Sequence, residues 1–195
     1  MTRHLSPTLW RTCRALANHR RLRVLQRLLD GRARTVSAVA DAEGLSEVSA
    51  SQCLRALNAR GLLRVRRVSR WVEYRLGADP AVPETAPLVR ALRRQLRGGR
   101  AAVTATFADL TAFTHPRRLL IVRALPAKDG AALGALRAAT GISEPALFRH
   151  LLKLVHRGVV GRDDGLYRRL VTGTPVLRTL TMLAAGDGAG PHSHT

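Results

Sequence analysis

Ser49, Ser51, Gln52 and Arg55 fall within seven residues of one another in the stretch GLSEVSASQCLRALNARGLL, residues 44–63. Hydroxyls, a primary amide and a guanidinium are the groups that hydrogen-bond to base edges in a DNA groove or to phosphate oxygens. Just beyond, LLRVRRVSRWVEYRL supplies Arg64, Arg66, Arg67 and Arg70. Cations so close together suit attraction to a phosphate backbone, which is independent of base sequence. A second stretch, GISEPALFRHLLKLVHRGVV at residues 141–160, repeats the outline of the first. It carries Ala146, Phe148, Arg149 and Leu152 where the first has Ser49, Ser51, Gln52 and Arg55. Arg149 and Lys153, with Arg162 farther on, are its candidate contacts. Phe148 and Leu152 are expected to pack against neighbouring helices, the alternatives being thymine methyls or a partner protein.

The two stretches keep a constant spacing. Gly44 and Gly141 lie 97 residues apart, and the same offset pairs Arg21 with Arg118, Leu22 with Leu119, Ser46 with Ser143, Leu54 with Leu151, Leu57 with Leu154 and Gly61 with Gly158. The register runs without a gap from residue 19 to residue 64, and the matches fall on glycines and apolar-periodic positions, as in a duplicated domain. Within each copy HRRLRVLQRLL or PRRLLIVRAL has helical periodicity. TVSAVADAEG and ALGALRAATG read as short helices closed by a glycine suited to a left-handed turn. Ser46 and Ser143 are then N-caps of the following helix, the first of which is expected over residues 46–60, and Gly61 and Gly158 end these helices. Two short alternating runs follow each, the second turning at Asp164-Gly165. A helix-turn-helix followed by a two-stranded hairpin is a winged helix.

Additional helices flank both copies: SPTLWRTCRALAN, with Ser6 and Pro7 as start signals, PETAPLVRALRRQL, RAAVTATFADLTAF after the break at Gly98-Gly99, and TPVLRTLTMLAA. The expected fold is mostly α with small β-hairpin wings, as two tandem winged helix-turn-helix domains with flanking helices. Their bounds are 1–97 and 98–185, with a disordered tail over 186–195.

Composition narrows the function classes. Aromatic residues are 4% of the chain and hydrophobic residues 46%, a balance that favours aliphatic helical cores. Thirty-three Lys plus Arg against thirteen acids give a net charge of +20, which points to a polyanionic partner, duplex DNA. The charge is uneven: +13 over residues 1–97 and +7 over 98–195, with Asp163 and Asp164 at the second wing tip. No apolar run approaches the roughly eighteen residues of a membrane span. The Arg-rich first 25 residues lead into the repeat and are read as structure, not a targeting segment. Two cysteines, Cys13 and Cys53, make no disulfide framework, which fits a reducing cytoplasm and a nucleoid-associated protein. No Gly-rich phosphate loop, nucleophile elbow or suggestive carboxylate pair is present, so no enzyme and no cofactor are expected.

The phrases RRLRVLQRLLDG and SEVSASQCLRALNARGLL with the ending RWVEYRL, and in the second copy HPRRLLIVRAL with SEPALFRHLLKL, resemble the ArsR/SmtB family of bacterial winged-helix repressors. The resemblance implies a sequence-specific transcriptional regulator of repressor type. Members of that family are typically homodimers whose flanking helices pair and whose subunits each read one half-site. A duplicated chain can build that arrangement internally, as a monomeric pseudo-dimer, or can still form a homodimer. The family's metal-ligand patterns have no counterpart here: TVSAVADAEG holds neither Cys nor His, and no metal is expected. A small-molecule effector remains open. The alternative is a tandem winged-helix module for protein interaction, replication initiation or chromosome organisation.

Overall fold

Aliphatic residues three and four apart give each helix one apolar stripe, and burying these stripes against one another builds the molecule. The computed structural model describes residues 8–186. From the N-terminal side come α1 (Leu9–Leu16), α2 (His19–Arg27), α3 (Val36–Glu43), α4 (Glu47–Asn58) and a hairpin of β1 (Leu63–Val68) and β2 (Trp71–Leu76). A short 3-10 turn at Pro83–Thr85 leads to α5 (Ala86–Gln95), and after Gly98 come α6 (Gly99–Ala112) and α7 (Pro116–Ala124). The chain closes with β3 (Ala131–Ala132), α8 (Leu133–Thr140), α9 (Glu144–His156), β4 (Val160–Asp163), β5 (Leu166–Arg169) and α10 (Pro175–Ala185). The protein is mostly helical with small antiparallel hairpins, an architecture compatible with winged helices. The start signals at Ser6 and Pro7 and the tail beyond Gly186 lie outside the described residues.

Local chemistry explains the recurring order. Gly44 and Gly141 close α3 and α8 in the left-handed conformation, at φ 61° and 66°, which turns the chain so that α4 and α9 cross the preceding helix. The helix expected over residues 46–60 runs from Glu47 to Asn58, with Ser46 outside it as cap. The Ser46 side chain accepts from the Ser49 amide at 3.2 Å. Ser143 holds the equivalent backbone position, yet its side chain makes no capping bond, which corrects the expectation of two equal serine caps. One interior bond also recurs: Arg21 donates to the Ala15 carbonyl at 2.7 Å, and Arg118 to the Ala112 carbonyl at 2.6 Å. Each bond ties the end of one helix to the start of the next.

The hairpins differ. In the first, pairing runs from Leu63 opposite Leu76 to Val68 opposite Trp71; in the second, from Val160 opposite Arg169 to Asp163 opposite Leu166. The first wing is thus two residues longer in each strand, a reach of about 7 Å at ~3.3 Å per residue. The second turns at Asp164 and Gly165, both with positive φ. It also gains a third strand, because β3 pairs with β5; at the matching place in the first half only a single bridge forms, Arg34 to Tyr74. Sequence alternation shows two strands per wing and gives no sign of a two-residue third.

Flanking helices join the halves. Helix α1 packs on α6, and α5 packs on α10, which also touches α6 and α7. The core is continuous from Cys13 and Leu16 through Leu92, Leu96, Val103 and Leu110 to Leu177 and Leu180. A half-buried polar node lies against it. Gln95 Nε2 donates to Thr106 Oγ1 at 3.0 Å and to Asp109 Oδ2 at 2.8 Å, and Gln95 Oε1 accepts from the Val176 amide at 2.8 Å. Thr174 caps α10 through the Leu177 amide at 3.1 Å and donates its hydroxyl proton to the same Asp109 oxygen at 2.6 Å. Three helices thereby share one buried carboxylate. Burial raises the Asp109 pKa, with Thr174, Gln95 and the Arg157 charge opposing.

Both the serine caps and the carboxylate node have measurable consequences for stability. Ser46→Ala should cost about 1 kcal/mol and Ser143→Ala only a few tenths, read as urea midpoints; equal losses would remove the asymmetry of the caps. Asp109→Ala should destabilise by about 1–3 kcal/mol because Gln95 and Thr174 lose their acceptor. Asp109→Asn keeps an acceptor and tests the charge. With its folded pKa raised, Asp109 contributes stability that is fully present below the unfolded value near 3.9 and is lost as pH rises through the folded value. Wild type should therefore gain on Asp109→Asn as pH falls from 7 toward 4. A difference between their melting temperatures that ignores pH would refute the shift.

Candidate nucleic-acid interface

Helix α4 is anchored by its inner face and free on its outer one. Ala50, Leu54 and Leu57 are fully buried and Cys53 nearly so. Opposite them Val48, Gln52 and Arg55 are exposed, with Ser49 and Ser51 half-buried at the margins of that stripe. Helical spacing puts Val48, Gln52 and Arg55 on one line. Ser46 is committed locally, since beyond its capping bond it donates to the Ser49 hydroxyl at 3.0 Å. Of the four expected base-facing residues, Gln52 and Arg55 thus project outward, while the two serines flank them. Val48, 66% exposed, was not singled out from the sequence; its place four before Gln52 was the available signal.

Strand alternation divides the wing arginines. Arg64 and Arg66 share one face of the hairpin with their cross-strand partners Arg75 and Glu73, whereas Arg67, opposite Val72, points to the other. Arg66 pairs with Glu73 at 2.9 Å, and Arg64 Nε donates to the Ala78 carbonyl at 3.0 Å. These residues line a cleft of about 620 Å³ with Asn58 at the end of α4 and Asp79 and Pro80 after the wing. At the tip the Arg70 guanidinium lies 5.1 Å from the Trp71 ring centre, a cation over a ring that is itself half exposed. Arg75 went unnoticed in the sequence, although its register opposite Arg64 follows from a two-residue turn.

The second half presents a different face. Arg149 is exposed and its Nε donates to the Pro145 carbonyl at 3.3 Å. Lys153 is half-buried; burial, then the charges of Arg157 and Arg118, lower its pKa. Arg162 lies 5.6 Å from the Tyr167 ring centre, beside exposed Asp163 and Asp164. Phe148 and Leu152 are 39% and 50% exposed, which overturns the expectation that they pack inside. The reason is that α9 buries Leu147, Leu151 and Leu154, the counterparts of Ala50, Leu54 and Leu57, so the helix is not rotated.

Both cysteines are buried. Burial raises both cysteine pKa values, with the Arg21 and Arg20 charges opposing at Cys53, and disfavours the thiolates that bind metals. The His115 and His150 rings meet at 4.6 Å; burial lowers both pKa values, and Arg117 and Arg118 add to it. Among the described residues no group of three or more His, Cys, Asp or Glu is placed to hold a metal ion. None of the described helices is long and apolar enough to cross a membrane.

No protein-family profile matches the chain. Over 69 residues, 35% of this chain, it is 41% identical to the HTH-type transcriptional regulator Rv0324 of Mycobacterium tuberculosis. The matched stretch spans 30% of that protein's length. This partial likeness suggests a helix-turn-helix regulator.

Proposed function

We propose that the chain is a sequence-specific double-stranded DNA-binding transcriptional regulator, repressor-like and similar to the ArsR/SmtB group, not an enzyme. The observation that carries this reading is the capped helix α4, which sets Gln52 and Arg55 outward next to the arginine-bearing wing. In this reading α4 enters the major groove with Ser49, Ser51, Gln52 and Arg55 nearest the bases. Arg64, Arg66, Arg67 and Arg70 meet flanking phosphates, and Ser46 and Ser143 stand at helix N-termini, where phosphate oxygens are also favoured. Arg149, Lys153 and Arg162 are the second unit's contacts.

Residues 1–97 and 98–185 are proposed as two winged-helix units that act as an intrachain pseudo-dimer. Supporting this is the order of elements, in which α2, α4 and β1 begin 97 residues before α7, α9 and β4. The leading helices α1 and α6 pack together, as do the trailing helices α5 and α10. One polypeptide would then present two readers to two half-sites, in the arrangement a symmetric dimer achieves with two chains.

Selection from a random duplex library at near-physiological salt, followed by sizing of the complex, tests the reading. Two unlike half-sites bound by one chain are expected; a palindrome bound by two chains would overturn the pseudo-dimer, and no enrichment would overturn sequence-specific binding. Replacing Arg66, Arg67 and Arg70 by Ala should weaken binding to every sequence and flatten its dependence on log salt by roughly 0.9 for each phosphate no longer neutralised. An unchanged slope would remove the wing from the interface. Gln52→Ala should instead change which bases are preferred.

A further inference from the structure

Phe148 and Leu152 are large apolar side chains left in solvent, at 39% and 50% exposure, on the outward face of α9. Four residues apart, they lie on one stripe, with Arg149 exposed beside them. By the 97-residue spacing they occupy the places of Ser51 and Arg55, and the shared burial of Leu151, Leu154 and their counterparts shows that the same face points outward. What differs between the helices is the chemistry presented, not the direction.

We propose that α9 reads thymine through its 5-methyl group, so that the second half-site is a short A·T run and the operator is asymmetric in chemistry as well as sequence. This rests on the DNA-binding reading above. In the major groove the thymine methyl is the apolar feature of the base edges, and aliphatic and aromatic side chains recognise it by contact. Along a helix rising ~1.5 Å per residue, Phe148 and Leu152 are about 6 Å apart, close to two base-pair steps of ~3.4 Å. The first helix offers one aliphatic group, Val48 in its first turn, and puts Gln52 and Arg55 at its centre. It is therefore suited to hydrogen-bonded readout.

The charge around α9 selects the occupant. Arg149 is exposed on α9 one residue after Phe148, and half-buried Lys153 follows Leu152. Glu144, in the first turn of α9, is 3.7 Å from Arg137, and the carboxylates Asp163 and Asp164 sit on the hairpin, not the helix. An apolar pair flanked on its own helix by Arg149 and Lys153 fits a polyanion that carries methyl groups. It disfavours a second copy of the chain, whose matching face holds the same positive charges.

The test uses the full chain and a duplex recovered by the selection above, with each thymine replaced in turn by uracil, which removes only the methyl. Gln52→Ala assigns the first half-site. In the other half-site, loss of a methyl touched by Phe148 or Leu152 should weaken binding roughly fourfold, the equivalent of one buried methyl. F148A/L152A should bind more weakly and become indifferent to uracil there. F148S/L152R, which writes the first helix's residues into α9 at exposed positions, should exchange the thymine preference for one resembling the first half-site. Uracil without effect in that half-site, or undiminished DNA binding by F148A/L152A, would overturn the proposal, the latter assigning the apolar pair to a protein partner. Failure of the wild-type chain to retain any duplex is a separate result, which defeats the DNA-binding reading itself.

Discussion

The relative placement of the two outward-facing helices depends on how the flanking helices hold together, and at their meeting point lies the buried carboxylate of Asp109. Hydrophobic packing of α1 on α6 and α5 on α10 supplies most of the attraction, but it is non-directional and tolerates sliding. Hydrogen bonds do not. With Gln95 and Thr174 both donating to one Asp109 oxygen, and Gln95 also accepting from the first turn of α10, the end of α5, the middle of α6 and the start of α10 are set in one register. A network of this kind is costly when half satisfied, which makes it a device for selecting one arrangement more than a source of net stability.

A net charge of +20 does not become a uniform basic surface. Several cations are committed to partners within the protein. Arg21 and Arg118 close helix ends, Arg93 donates to the Leu76 carbonyl at 2.9 Å, and Arg27 and Arg23 share the carboxylate of Glu43. Exposed arginines remain on the first hairpin, at Arg64, Arg66, Arg67, Arg70 and Arg75, and on many of the helices, while the second hairpin is shorter and tipped with acids. Recurrent folding with divergent surfaces is what a duplicated regulator would need in order to read an unsymmetrical site, because buried positions must keep their shape whereas exposed ones can change with little cost to stability.

Elements with strong local causes were legible from the chain. The 97-residue register, the left-handed glycines after α3 and α8, the buried Leu54, Leu57, Leu151 and Leu154, and the Asp164-Gly165 turn all follow from periodicity and backbone preference within a few residues. The candidate site was legible in part. Gln52, Arg55 and Arg149 project from their helices as helical spacing implies, but the wing arginines, read as one basic tip, separate onto two faces once the strand register is known. Phe148 and Leu152 were misassigned for a general reason: an apolar residue is assumed to be covered unless a neighbour is known to be missing.

By itself the sequence determined the succession of helices and paired wing strands, the 97-residue register and the unequal charge of residues 1–97 and 98–195, since these rest on local propensity and on composition. Only the tertiary structure decided which serine caps its helix, that a third strand joins the second wing, that α9 keeps apolar groups outward, and that Gln95, Asp109 and Thr174 meet. Each of these depends on groups 14 to 81 residues apart, or on whether a hydroxyl close in sequence is turned the right way. Neither periodicity nor residue type records such distances, because they are set by how the helices close around a common core.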